Sequence, residues 1–126
     1  MSVLTEEKLG TTLLDFQSRF NNHGRVKKLL KKWNRMIFME ATDTDRKYTM
    51  IVSDQKMTDV EEGLMADHSL NDDTRIHLQA DEEILVQIFS GKYNPATAHI
   101  DGALAVFSSD QDKVKLEAIA MVIWGL

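Results

Sequence analysis

Residues 74–91, TRIHLQADEEILVQIFSG, decide the fold class. Ile76 and Leu78 alternate with Arg75 and His77, which predicts a half-buried strand over Thr74–Gln79. The period then changes. Asp81-Glu82-Glu83 sets negative charge on the first turn of a helix carrying Ile84, Leu85, Ile88 and Phe89, and Gly91 stops it as a C-cap. Beyond it, Asn94-Pro95 reads as a short turn leading to Gly102 and a strand over Ala103–Phe107. Ser109 and Asp112 stand at capping-box spacing and open a last helix through Leu116, Ile119, Val122, Ile123 and Leu126.

Upstream, Leu9, Leu13, Phe16 and Phe20 recur at spacings of four, three and four behind Thr5, a candidate N-cap, and predict an amphipathic helix. Asn21-Asn22-His23-Gly24 interrupts it. A second apolar stripe, Val26, Leu29, Leu30 and Trp33, has a lysine-rich opposite face and reads as a short second helix or a bent continuation. Two β-rich segments follow, Arg35–Ala41 and Lys47–Ser53, joined across the Asp-rich loop Thr42–Arg46, and a third strand is expected over Met57–Gly63. Helices, a meandering sheet, then helix, strand and helix make an α+β layer fold in a single domain spanning residues 1–126.

A chain of 126 residues buries roughly two-thirds of its unfolded surface, enough for one core. The absence of cysteine excludes disulfides, thiol nucleophiles and cysteine-based metal sites. No basic stretch followed by an apolar one opens the chain, and the longest apolar run, Ala118 to Trp124, is far below the ~20 residues of a membrane-spanning helix, so a cytoplasmic protein is expected. Charge is unevenly placed. Residues 25–35 hold six of the fifteen basic residues and no acid, whereas residues 43–83 hold twelve acids against four bases.

Catalytic signatures are missing: no nucleophile elbow, phosphate-binding loop or paired-histidine metal motif occurs, and the four histidines are scattered. Neither catalytic residues nor metal ligands nor cofactors are nominated. The last helix is the unusual element, because Ile119, Met121, Val122, Ile123 and Trp124 leave it almost no polar face, and such a helix must be covered on both sides. It can be a buried central helix, a homodimer surface, or one wall of an apolar cavity. Arg25, Lys27, Lys28, Lys31, Lys32 and Arg35 form either a solvated helix face or a contact for an anionic membrane surface, at about 1 kcal/mol per cation. Nucleic acid is disfavoured as a partner by the net charge of −5 and by the lack of a stacking platform among the lysines.

The segments Thr74-Arg75-Ile76-His77-Leu78, Glu83-Ile84-Leu85, Phe89-Ser90-Gly91-Lys92-Tyr93-Asn94-Pro95, Ala98 and Gly102-Ala103-Leu104-Ala105-Val106 together resemble the sterol carrier protein family, the non-specific lipid-transfer domains. The likeness extends over nearly the whole chain and departs at Ala103, Ala105 and Ser108-Ser109. It implies a five-stranded mixed sheet covered by helices, with the C-terminal helix closing an apolar tunnel for a lipid or fatty-acyl ligand and no catalytic activity. The wall positions it implies are Phe16, Phe20, Phe38, Leu85, Phe89, Leu104, Val106, Ile119, Val122, Ile123 and Leu126. The alternative is a protein–protein interaction or dimerisation module that uses the same apolar helix and has no ligand site.

Overall fold

The computed structural model describes residues 8–63 and 75–124. The elements are α1 (Lys8–Asn21), α2 (Gly24–Leu29), β1 (Arg35–Ala41), β2 (Arg46–Ser53), β3 (Lys56–Glu62), β4 (Arg75–Ala80), α3 (Glu82–Phe89), α4 (Pro95–Ile100), β5 (Ala105–Phe107) and α5 (Asp110–Trp124). The expected N-cap Thr5 and the wall position Leu126 lie outside the described residues.

One sheet runs β3-β2-β1-β4-β5. The first three strands form the expected meander, and the meander ends there. β4 pairs in parallel with β1, from Met36↔Arg75 to Ala41↔Ala80, so β1 is the central strand and the sheet is mixed. Five of its seven residues are buried, as a central strand requires. Asp54 and Gln55, with φ of +55° and +65°, make the two-residue turn between β2 and β3, the left-handed pair that fits the twist of a tight hairpin. At the free edge of β3 the Asn21 side chain takes both backbone groups of Met57, Nδ2 to the carbonyl at 2.9 Å and Oδ1 from the amide at 2.7 Å. The end of α1 thus satisfies an edge that would otherwise invite another strand.

The core lies between this sheet and the helices. Leu9, Leu13, Phe16 and Phe20 of α1 are buried as their spacing requires, and Ile37, Met39, Tyr48, Met50 and Val52 face them from the sheet. The hairpin loop clamps the start of α3: Asp43 Oδ1 accepts from the Glu82 amide at 2.9 Å, and Arg46 pairs with Glu82 at 2.9 Å.

Two elements differ from expectation. The segment after Asn94 is a helix, not a short turn, because Asn94 Oδ1 accepts from the Ala96 amide at 2.8 Å and Pro95 occupies the first helical position. The last helix is not covered on both sides: Val114 and Met121 are 64% and 55% exposed, and only Asp112 and Ile119 are fully buried. Its capping box is also incomplete. Ser109 Oγ accepts from the Asp112 amide at 3.2 Å, but the Asp112 carboxylate turns inward to accept from Trp33 Nε1 at 2.8 Å and Arg35 Nε at 2.9 Å.

That buried carboxylate ties α5 to the start of β1, and Lys115 Nζ adds a bond to the Leu29 carbonyl at 2.8 Å. Asp112→Ala strands the indole N–H and releases the guanidinium, so urea unfolding should show a loss of about 2–3 kcal/mol. Asp110→Ala, at a fully exposed carboxylate 4.0 Å from Lys113, should leave the midpoint within about 0.5 kcal/mol of the parent.

Candidate functional site

An apolar cavity lies between the sheet and the helices, beneath α5. Its open volume is about 70 Å³, several times the ~10–15 Å³ that one water needs. Phe16 and Phe20 of α1 and Phe89 of α3 form one wall; their rings are mutually tilted, with Phe16 edge-on to Phe89 at 5.0 Å. The sheet contributes alternate residues, Ile37, Met50, Met57 and Leu78, because period two sends those side chains to one face. Leu116, Ala120 and Trp124, four residues apart along α5, form the roof.

The ionisable lining side chains are His99 of α4, Lys113 near the start of α5 and Glu117 at its middle. The cavity therefore has a polar end near α4 and an aromatic end at Trp124. α4 is held against the loop before it by the Tyr93 hydroxyl, which donates to Asp101 Oδ2 at 2.7 Å. That bond to a carboxylate, with some burial, holds the phenol above its ordinary pKa.

Of the wall positions implied by the resemblance, the structure brings Phe16, Phe20, Phe89, Leu104, Val106 and Ile119 together around the cavity. Leu85 is fully buried in the adjoining core, and Val122 and Ile123 pack against that core half-buried without reaching the open space. Phe38 is on the other face of the sheet, since its neighbours Ile37 and Met39 face the core. There its ring meets the His77 imidazole edge-on, and His77 in turn contacts the Phe107 ring and bonds the Glu40 carboxylate. Sequence reasoning did not nominate Met50, Leu78, Leu116, Ala120 or Trp124. The alternation Tyr48, Met50, Val52 and the spacing of 116, 120 and 124 were the signals for them.

The basic segment divides in two. Arg25, Lys27 and Lys28 on α2, with Lys31 and Lys32 in the turn after it, are exposed and have no ion-pair partner among the described residues. Lys32 holds a left-handed φ of +59° in that turn. Arg35 instead points inward, paired with Asp112 and lying over the Trp33 ring at 5.2 Å. Among the described residues no three histidine or acidic side chains gather as a metal site, and no helix is long and apolar enough to cross a membrane.

Solved structures share this architecture at low identity. A UbiJ-SCP2 ubiquinone synthesis protein matches with a TM-score of 0.67 and 14% identity, over 92% of this chain and 94% of that one. Sterol carrier protein domain 2 of Helicoverpa armigera matches with a TM-score of 0.64 and 15% identity, over 94% and 90%. The inverting sec-alkylsulfatase Pisa1 from Pseudomonas sp. matches 76% of this chain with a TM-score of 0.56 and 14% identity, and the chain spans 14% of that enzyme's length. No family model and no curated protein matches the sequence. The chain has the sterol carrier protein fold, α+β with a five-stranded mixed sheet.

A largely apolar hollow takes up small apolar solutes. Under xenon pressure the methyl resonances of Met50, Leu104 and Ile119 should move, while Ile51, on the opposite face of β2, stays in place. Equal shifts at all four, or none, would mean that no open cavity exists in solution.

Proposed function

We propose that the protein is a non-catalytic carrier that binds a lipid or acyl-type ligand in the cavity beneath α5 and moves it through the cytoplasm. The observation that carries this reading is the hollow itself: its lining is carbon apart from a few polar side chains, His99, Lys113 and Glu117. Such a site suits a hydrocarbon tail with a polar head left near water. Burial of the tail contributes about 25 cal/mol per Å² before the costs of association are subtracted. Neighbours of the same fold named sterol carrier proteins support the reading at the level of fold.

The carrier collects and delivers its ligand at an anionic membrane surface, contacted by Arg25, Lys27, Lys28, Lys31 and Lys32. Five exposed cations over eight residues stand out in a chain of net charge −5. Arg35 serves the same segment from inside, holding its end to α5 through Asp112.

Gently purified protein should carry a lipid visible by native mass spectrometry, or bind added fatty acid. At a ligand concentration a hundred times Kd, linkage adds about 2.7 kcal/mol, which raises Tm by on the order of 10 °C for a domain of this length. A protein indifferent to every lipid and acyl compound in both measurements is not a carrier.

Cosedimentation with vesicles containing phosphatidylserine should weaken as salt rises and as Lys27, Lys28, Lys31 and Lys32 are replaced by Gln. At about 1 kcal/mol per cation the fourfold variant loses on the order of 10²–10³ in partitioning. Binding that ignores both salt and substitution rejects the electrostatic contact.

A further inference from the structure

Trp124 is the last described residue of α5, and four observations fix its ring. It lines the cavity. It stacks on Phe16 with ring centroids 6.5 Å apart and planes 28° from parallel. On the solvent side the guanidinium of Arg19, an exposed residue, lies 5.0 Å from the ring centroid. Finally, Trp124 rests directly on Gly91: a Cβ at that glycine would come within 2.5 Å of Trp124 Cε3. Gly91 therefore answers two demands at once, a φ of +81° after α3 and a bare surface for the indole. The ring stands between the hydrocarbon interior and water, braced on both sides.

Of the ionisable lining residues, His99 and Lys113 lie toward the opposite end and Glu117 stands between, at the middle of α5. Lys113 precedes Trp124 by eleven residues on the same helix, a separation of ~16 Å along its axis.

Resting on the carrier reading above, we propose that Trp124 is the end-stop of the cavity and sets the length of the ligand. The ligand is a single-chain amphiphile whose anionic head lies at Lys113 and His99 and whose terminal methyl abuts the indole. Each methylene buried short of the ring tightens binding about fourfold, the equivalent of ~0.8 kcal/mol per CH₂. Methylenes beyond the ring add nothing, because Trp124, Gly91 and Arg19 leave them no apolar space.

The test is a series of saturated fatty acids of increasing length, titrated by calorimetry into the parent protein, Trp124→Phe and Trp124→Ala. The parent should gain about fourfold per methylene and then level off. Trp124→Ala should keep gaining over at least two further methylenes, with Trp124→Phe in between. Levelling at the same length in all three proteins overturns the end-stop while leaving the carrier intact. Failure of every chain to bind the parent overturns the carrier reading and this proposal together.

A second measurement leaves residue 124 untouched. Trp33 and Trp124 are the two tryptophans, so in Trp33→Phe the emission belongs to Trp124 alone. A fatty acid brominated near its terminal methyl should quench that emission several-fold more than one brominated near its carboxylate. The reverse order would place the head at the indole and overturn the proposal.

Discussion

Everything distinctive in this molecule depends on α5 being fastened at its two ends. At the first end a buried carboxylate, Asp112, holds Trp33 and Arg35, and Lys115 reaches the Leu29 carbonyl. At the other, the Trp124 ring is pressed onto Gly91 and Phe16. Between these fastenings Ile119 is buried on one flank while Leu116 and Ala120 face open space. A helix is a stiff rod of hydrogen-bonded turns, so one fixed at its ends can bridge a gap that a loop would collapse into. The hollow persists because its roof cannot sag.

Much of this architecture was legible in the residues, and the parts that were not share a physical reason. The stripe of Leu9, Leu13, Phe16 and Phe20, the hairpin around Thr42–Arg46 and the change of period at Asp81 are all local signals, and each became the expected element. The parallel pairing of β4 with β1 is a contact between distant segments, and no local pattern distinguishes it from continuation of the meander. Asn94-Pro95 was ambiguous for a different reason: the same two residues start turns and cap helices, and the helix is only six residues long with Pro95 included.

The site was legible by composition and illegible by address. An apolar side chain at helical spacing looks the same whether it touches carbon or faces a void, so Leu85 and Phe89, four residues apart on α3, were indistinguishable until the packing placed one in solid core and the other on the cavity. Phe38 shows the limit of strand reasoning. Alternation puts it opposite Ile37, but β1 is buried on both faces, and hydrophobicity alone does not tell which face holds the hollow. Asp112 carried a misleading signal, because its spacing from Ser109 suits a capping box while its carboxylate serves a tertiary contact.

The two fastenings of α5 are chemically unlike. The Asp112 end is an ion pair and charge-assisted hydrogen bonds, with the Arg35 side chain 21% exposed and adjoining the unpaired cations of the basic segment. Because Asp112 is buried, salt screens that pair much less than it would a surface pair. The Trp124 end is dispersion and ring contact over a glycine, which salt and anions barely touch. Both fastenings therefore hold with little dependence on salt, the end of the roof that carries Lys113 set by charge and the end that carries Trp124 set by shape.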